Sequence, residues 1–288
     1  MAVTIGVSFD LLGSLIAVHP SAGHQYAIDM VKFLEKKGIR EPNINIEILD
    51  ANAFRALKTE LTNDRAKWVS QGLGEAKMMP IGGTTEESVL DFWSRVIHRS
   101  FDDDGAFCNY DKRVMSVLQE SSNSPEWNEF LKSVFERFAT PEPYRWLPEA
   151  LPTLSALEEW RGHKHSRGIK CTPPAILTNA DYRFVSVVKE MVKQHSNKPL
   201  IGSLFSADRV GVGKPSARGI SLASKASGVT SMKHWIHVGD GEEDRLAAER
   251  AGCHFLHCSP TKGPEWARLR GMLEEVCGSV DKRVSVAT

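Results

Sequence analysis

The stretch that decides the fold is Val3-Thr-Ile-Gly-Val-Ser-Phe-Asp-Leu-Leu-Gly-Ser-Leu-Ile16. It opens with apolar and β-branched residues, which predicts a strand buried on both faces. The apolar run ends at Asp10, and ligands bind at the carboxyl edge of the strands in an open α/β sheet. Gly13 then permits a tight turn, and Ser14 places a hydroxyl near the carboxylate.

Two interpretations of Asp10 follow from this stretch. A lone carboxylate at a strand end, followed by glycine and a hydroxyl residue, suits a nucleophilic aspartate. Aspartate also commonly caps the turn that follows it. The stretch alone leaves both interpretations open.

The composition gives no support to several classes of protein. Of 288 residues, 41% are hydrophobic and 25% charged, which is ordinary for a globular protein of one large domain or two modest ones. The 36 basic and 36 acidic residues cancel, so the net charge gives no reason to expect nucleic acid or an anionic membrane as partner. No apolar run approaches the roughly 18 residues of a membrane span.

Two further features concern the compartment. The N-terminus shows no basic leader or signal-type apolar core before the first strand. The five cysteines are odd in number and scattered, which argues against a disulfide scaffold and for a reducing compartment. We therefore expect a cytoplasmic protein.

The rest of the sequence has two parts that differ in their hydrophobic patterns. Residues 19–143 show helical periodicity without a clear strand, which predicts an all-helical domain inserted after the first strand. From residue 144 onward, apolar strands alternate with helices, which is typical of a parallel sheet. We predict strands at 175–177, 200–205, 234–238 and 253–258, and helices that include 51–68 and 264–276, with a frayed tail from residue 278.

Polar residues follow four of the predicted strands, at one edge of one sheet. Asp10 would be the nucleophile of phosphoryl transfer through an aspartyl-phosphate, and Lys214 would hold both Asp10 and the phosphate oxygens. Thr178 would donate to a phosphate oxygen. Carboxylates suit magnesium, and Asp240 and Asp244 would complete its shell. The full set is Asp10, Ser14, Thr178, Asn179, Lys214, Asp240 and Asp244.

Two other clusters suggest metals less convincingly. Cys253-His-Phe-Leu-His-Cys258 contains four potential zinc ligands, but alternate residues of a strand point to opposite faces, so the four cannot converge on one ion. The acidic run Asp102–Asp104 lacks the two-residue spacing of calcium loops, and a solvated loop explains it.

The chain resembles the haloacid dehalogenase-like (HAD) superfamily. Four segments match the motifs of that superfamily in order and spacing, and the likeness covers roughly residues 3 to 260. The segments are Ser8–Leu15, Ile176–Asn179, Val212–Pro215 and His237–Asp244. Within the superfamily, the chain resembles the eukaryotic HAD-like hydrolase domain-containing branch. This likeness lies in the stretch His19-Pro20, the helix to Lys37 and Trp93.

The resemblance implies an α/β architecture with two domains. A Rossmann-like core with a parallel sheet would comprise residues 1–18 and 144–288, and a helical cap would comprise residues 19–143. The substrate would be a small phosphorylated metabolite, and the cofactor Mg²⁺. The resemblance also implies a set of phosphate-binding residues in this chain: Ser14, Thr178, Asn179 and Lys214.

One departure from the family pattern concerns the motif around Asp10. Phosphatases of the superfamily have a second aspartate two residues after the nucleophile, where this chain has Leu12. That aspartate protonates the leaving group and then activates water. The family also binds magnesium through the backbone carbonyl at this position, which Leu12 still supplies beside Asp10, Asp240 and Asp244.

Three hypotheses about function remain open at this point. The first is a magnesium-dependent phosphatase that is weak or specialised for an activated substrate. The second is a catalytically inactive binding module in a larger complex, with a protein partner on the cap near Trp68, Trp93 and Trp127, although those tryptophans also fit a cap core. The third is a 2-haloacid dehalogenase, which the retained Asp240 and Asp244 disfavour.

Overall fold

The computed structural model describes residues 3–72, 79–102, 112–121, 124–165 and 169–286. Its strands are β1 (Thr4–Phe9), β2 (Ile16–Val18), β3 (Tyr144–Trp146), β4 (Lys170–Cys171), β5 (Ala175–Thr178), β6 (Ser203–Ser206), β7 (Trp235–Gly239) and β8 (His254–His257). Its helices are α1 (Ala22–Lys36), α2 (Ile46–Ser70), α3 (Glu86–Asp102), α4 (Lys112–Ser121), α5 (Pro125–Arg137), α6 (Ala150–His165), α7 (Arg183–His195), α8 (Ala207–Val210), α9 (Arg218–Ala226), α10 (Glu242–Ala251) and α11 (Trp266–Val286), with a 3₁₀ turn at Met232–His234.

The main sheet has the strand order β6-β5-β1-β7-β8, and β4 pairs with the start of β1. Every pairing between these strands is parallel, and helices lie in all the connections except the short loop between β4 and β5. This arrangement confirms the predicted Rossmann-like α/β fold. A separate two-stranded sheet joins β2 and β3.

Strand β1 lies in the middle of the sheet because five of its six residues are buried and all but Thr4 and Ser8 are apolar. Its last residue, Phe9, pairs with Ile176 of β5 and with Val238 of β7. The carboxyl ends of these three strands therefore lie within two residues of one another in register. Whatever follows each strand emerges at the same edge of the sheet.

The described residues fold as two compact units. One contains residues 3–17, 79–80 and 145–286, and the other contains residues 18–72 and 81–144. The main sheet belongs to the first unit, and helices α1 to α5 belong to the second. The assignment of the helical unit as a substrate-selecting cap remains a prediction.

The helical unit has an aromatic core of its own. Trp127 is buried and packs edge-on against Phe33 and tilted against Phe130. Trp68 and Trp93 are half-buried, and Trp93 packs edge-on against Phe92. Trp127 is thus a core residue, which leaves Trp68 and Trp93 as the partly accessible tryptophans of the three.

Two predicted helix boundaries are wrong. Helix α2 begins at Ile46 rather than residue 51, because Asn45 caps it by accepting from the Ile48 N–H at 3.1 Å. Helix α11 continues to Val286 rather than ending at residue 276 in a frayed tail. Gly278 suggested an end, but a glycine inside a helix costs only about 1 kcal/mol.

Two negative findings apply to the described part of the chain. None of its helices combines the length and hydropathy required to cross a membrane. Its cysteines, at positions 171, 253, 258 and 277, form no disulfide.

Candidate active site

Asp10 lies at the point where β1 leaves the sheet. Its backbone N–H donates to the Val238 carbonyl at 2.8 Å, which fixes the residue at the end of the strand. The residue is only 7% exposed. Burial raises the pKa of the Asp10 carboxyl to about 6, although Lys214 lowers it and Asp244 adds to the rise. Asp10 is therefore a desolvated carboxylate at a ligand-binding edge, which favours the nucleophile over the turn cap.

Lys214 reaches the same edge from the loop after α8. Its ammonium donates to Asp10 Oδ1, to Asp244 Oδ1 at 2.5 Å and to the Leu177 carbonyl at 3.2 Å, so all three hydrogens are used. Burial lowers the pKa of Lys214, but the Asp10 and Asp244 carboxylates outweigh burial and raise it above its ordinary value. The lysine is therefore a fixed cation at this site.

The side chain of Asn179 holds the Lys214 backbone in place. Its Oδ1 accepts from the Lys214 N–H at 2.6 Å, and its Nδ2 donates to the Lys214 carbonyl at 3.1 Å. A Cβ at Gly213 would lie 2.6 Å from Asn179 Oδ1, so this approach needs glycine. Asn179 Nδ2 also donates to Glu243 Oε2 at 2.9 Å. Asn179 thus supports Lys214, and its predicted contact with phosphate stays a prediction.

Thr178 ends β5 beside this pair. It is buried, and its Oγ1 accepts from the Ala180 N–H at 3.1 Å. Accepting that bond leaves the hydroxyl hydrogen of Thr178 to donate to a ligand. This arrangement is compatible with the predicted donor to a phosphate oxygen.

Three carboxylates meet at the end of β1 and β7. Single ligand atoms of Asp10, Asp240 and Asp244 lie within 4.8 Å of one another, and no other such group of three occurs among the described residues. Among the described residues, the cysteines and histidines near β8 do not form such a group. The acidic run ending at Asp104 falls outside the residues whose side chains the structure describes.

The donor set of this carboxylate group fits a magnesium ion. It contains only hard oxygen ligands, which Mg²⁺ prefers. A Cβ at Gly13 would lie 2.6 Å from Asp240 Oδ2, so the backbone here makes room for that carboxylate. Gly13 also has a φ of +84°, a left-handed conformation that favours glycine. The carbonyl of Leu12 as a further ligand stays a prediction.

Ser14 lies against Asp240. It is fully buried, and its hydroxyl donates to Asp240 Oδ1 at 3.0 Å. The thiol of Cys258 lies 3.5 Å from the same hydroxyl. The one hydrogen of Ser14 is thus used to orient a carboxylate, while its predicted role as a phosphate ligand is untested.

Asp244 is held more tightly than Asp240. Its Oδ1 contacts both Lys214 Nζ and, at 3.0 Å, His237 Nε2, while its Oδ2 accepts from the Gly241 N–H at 3.2 Å. Burial raises the pKa of Asp244, but the hydrogen bond from His237 and the charge of Lys214 lower it well below its usual range. Asp244 therefore stays ionised where Asp10 titrates.

Sequence patterns did not predict a role for His237, for its partners Ser8 and Trp235, or for Glu243. His237 lies inside β7 and is fully buried. The available signal was the imidazole of His237 in the apolar strand Trp-Ile-His-Val-Gly, and the hydroxyl of Ser8 inside the apolar run of β1. A single polar residue in an apolar strand does not by itself indicate a functional role.

Comparison with solved structures identifies similar folds at low identity. A 2-haloacid dehalogenase from Pseudomonas syringae pv. Tomato DC3000 is 17% identical, with a TM-score of 0.51, and the alignment covers 96% of this chain and 99% of that one. The HAD-hydrolase YfnB from Bacillus subtilis, solved bound to magnesium, is 14% identical, with a TM-score of 0.50 and coverages of 95% and 99%. These likenesses show the fold alone.

Comparison with known sequences is decisive for the family. A search of curated proteins found no match. A family model for haloacid dehalogenase-like hydrolases matches residues 6–252, a span that contains Asp10, Lys214, Asp240 and Asp244. The chain therefore belongs to the haloacid dehalogenase-like hydrolase family.

Proposed function

We propose that this protein is a magnesium-dependent phosphatase that acts on a small phosphorylated metabolite with a good leaving group. The observation that carries the proposal is the Lys214 ammonium, which bonds both Asp10 and Asp244 at the carboxyl end of β1. A buried carboxylate paired with a cation, next to further carboxylates and a donor hydroxyl, suits nucleophilic attack on phosphorus.

In the first step, a carboxylate oxygen of Asp10 forms a bond to phosphorus. The bond from phosphorus to the leaving oxygen breaks, and that oxygen departs with the electron pair. Lys214 and Thr178 stabilise the charge on the phosphoryl oxygens. The product bound to the enzyme is an aspartyl-phosphate on Asp10.

In the second step, water attacks phosphorus and expels the Asp10 carboxylate. Inorganic phosphate leaves, and the proton of the attacking water passes to solvent. Asp10, Asp240, Asp244 and the Leu12 carbonyl would hold Mg²⁺, which when bound would offset the negative charge that accumulates on the transferring group.

Leu12 determines which substrates are suitable. Its side chain is 36% exposed and has no proton to give to the leaving oxygen. A missing general acid typically costs about 10²- to 10⁴-fold in rate. The loss is small when the leaving group is already stable as an anion, so aryl phosphates and mixed anhydrides are the expected substrates and alkyl phosphates are poor ones.

The test is hydrolysis of a series of aryl phosphates with and without Mg²⁺. We expect turnover that requires Mg²⁺, falls steeply as the leaving-group pKa rises, and disappears in Asp10→Asn. The asparagine has the same shape, so equal melting temperatures would show that only the nucleophile is lost. Equal rates for the wild type and Asp10→Asn would refute the proposal.

The binding-module hypothesis is the second candidate, and the exposed Leu12 favours it. It predicts no turnover of any aryl phosphate, together with a stable complex between the full chain and a protein partner. The dehalogenase hypothesis predicts release of halide from 2-chloropropionate without metal. We expect no such release, because the three clustered carboxylates suit a metal-dependent reaction.

A further inference from the structure

Three polar side chains lie inside the hydrophobic sheet behind the active site. Ser8 of β1 and Trp235 and His237 of β7 are each 0% exposed. Ser8 pairs directly with His237 in the ladder between the two strands. Burying polar groups in such a place is costly unless every one is hydrogen-bonded.

These side chains form a continuous chain of hydrogen bonds. The Trp235 indole Nε1–H donates to Ser8 Oγ at 2.9 Å, and Ser8 Oγ lies 2.9 Å from His237 Nδ1. His237 Nε2 in turn lies 3.0 Å from Asp244 Oδ1. A Cβ at Gly6 would overlap the Trp235 ring, so a glycine in β1 makes room for the indole.

The direction of these hydrogen bonds follows from which groups are donors and which are acceptors. Indole is only a donor, and the ionised Asp244 is only an acceptor. His237 Nε2 must therefore carry the hydrogen that it shares with Asp244. Ser8 Oγ accepts the indole hydrogen of Trp235, so its own hydroxyl hydrogen is free to be donated to His237 Nδ1, which accepts it. The chain runs from Trp235 through Ser8 and His237 to Asp244.

This chain of hydrogen bonds ends at Asp244, which the imidazole of His237 contacts from the side of the sheet. His237 belongs to β7, which lies inside the sheet, whereas Lys214 lies on the loop after α8. A Cβ at Gly239 would overlap the Asp244 carboxyl group, so the end of β7 is also shaped to admit it. The imidazole thus sets the place of Asp244 Oδ1, and Lys214 aligns between that oxygen and Asp10.

We propose that His237 is a positioning residue of this active site. Held in its Nε2–H tautomer by Trp235 and Ser8, it fixes Asp244 so that the Lys214 ammonium meets Asp10 in the attacking position. The inference rests on the proposed function, because Asp10 must be the nucleophile for its alignment to matter. It deepens that function by adding a side chain that never touches substrate.

The first arm of the test is nitrogen-15 NMR of the histidine rings in the full-length protein. We expect one neutral ring protonated on Nε2, whose signals disappear in His237→Gln. Ser8→Ala should shift these signals. The matched control is Ser206→Ala, which removes another fully buried serine hydroxyl from the same sheet, one without a hydrogen-bond partner among the described residues, and should leave them unchanged. A ring protonated on Nδ1 would overturn the proposal.

The second arm is turnover of an aryl phosphate with Mg²⁺. Loss of a group that orients a site carboxylate typically costs about 10- to 100-fold. We expect His237→Leu to lower kcat by that factor with little change in KM, and His237→Gln to recover most of it, because its amide can still donate to Asp244. Equal kcat values for the two variants would contradict the proposal.

The two arms separate this inference from the proposed function. If the wild type hydrolyses no phosphate, the phosphatase proposal fails, while the NMR arm still decides the tautomer and the effect of Ser8→Ala. If His237→Leu does not fold, the comparison of Ser8→Ala with Ser206→Ala decides the kinetic arm. In that case a kcat of Ser8→Ala equal to that of Ser206→Ala counts against the proposal.

Discussion

The Lys214 ammonium and the Asp10 carboxylate form a buried ion pair in which the two side chains are 9% and 10% exposed. Lys214 also bonds Asp244 at 2.5 Å, so one cation serves two carboxylates. The group therefore has an excess negative charge in a desolvated place. Burial of the Asp10 carboxyl, to which the neighbouring Asp244 charge adds, raises its pKa despite the cationic partner.

The first prediction concerns the titration of Asp10 in the metal-free protein. Its pKa of about 6 lies above the unfolded value, so ionised Asp10 destabilises the fold. Its contribution to the free energy of unfolding should decline as the pH rises from about 4 to about 6 and stay flat above that. Carbon-13 NMR of the carboxyl groups should show the same midpoint.

Removing the cation should move that midpoint upward. Lys214 lowers the pKa of Asp10, so Lys214→Met should raise it further. Lys225→Met removes an exposed lysine of α9 and serves as the control. An Asp10 midpoint that is the same in Lys214→Met as in Lys225→Met would show that the ion pair does not govern this carboxylate.

The second prediction concerns Gly13. In Gly13→Ala the new Cβ would crowd Asp240 Oδ2, and the φ of +84° adds strain. We expect loss of Mg²⁺ binding by calorimetry together with a loss of stability on the order of 1 kcal/mol or more. Gly228→Ala has a φ of +70° but open space around its Cβ, so it should lose stability and keep Mg²⁺ binding. Equal Mg²⁺ affinities in the two variants would contradict the described place of Asp240.

The third prediction concerns the missing acid. Leu12 is partly exposed, so an aspartate there can be accommodated without a buried charge. Leu12→Asp should raise kcat for alkyl phosphates by about 10²- to 10⁴-fold. Leu12→Asn has the same shape but transfers no proton, and it should leave kcat near that of the wild type. A similar gain in both variants would mean that something other than proton transfer limits the wild type.

The fourth prediction concerns the stability of the helical unit. Asp29 of α1 is 3% exposed and accepts from Arg137 Nε at 2.6 Å and Nη2 at 2.9 Å. Asp29→Asn should lower the free energy of unfolding by about 1–3 kcal/mol, because a buried charge-assisted pair is broken. Asp91→Asn breaks an exposed pair with Arg95 and should cost about 1 kcal/mol or less.

The pH dependence of this effect has a defined sign. Burial raises the pKa of Asp29, but the bonds from Arg137 outweigh burial and hold it below its ordinary value. The stabilisation is therefore present above the unfolded pKa of about 4 and is lost as the pH falls through the lower, folded value. Urea denaturation at neutral and acidic pH should show the difference between wild type and Asp29→Asn shrinking in acid.

Much of the fold followed from the sequence because parallel strands leave a strong local signal. The apolar run before Asp10 predicted a buried strand, and the polar residues after each strand predicted one functional edge. Asp10, Lys214 and Asp244 do meet there. The carboxyl ends of neighbouring parallel strands lie at the same edge of the sheet. Residues that follow these strands therefore come together, and the exact bounds of the connecting helices do not affect this.

The supporting contacts could not be predicted in the same way. The bond from the Ser14 hydroxyl to Asp240 was not predicted, and the role of Ser14 as a phosphate ligand stays a prediction. The bond between Ser8 and His237 joins residues 229 positions apart and depends on the register of two strands. Register is a property of the assembled sheet, and periodicity within one strand carries no information about it.

The most direct measurement of the central claim is thermal unfolding with Mg²⁺ and beryllium trifluoride, which mimics an aspartyl-phosphate on a carboxylate. A ligand at 100 times its Kd stabilises a protein by about 2.7 kcal/mol, which corresponds here to a rise in Tm of roughly 5 °C. We predict such a rise for the wild type, dependent on both Mg²⁺ and beryllium trifluoride, and none for Asp10→Asn. An unchanged Tm for the wild type, or an equal rise in Asp10→Asn, would contradict the assignment of Asp10 as the phosphoryl-accepting nucleophile.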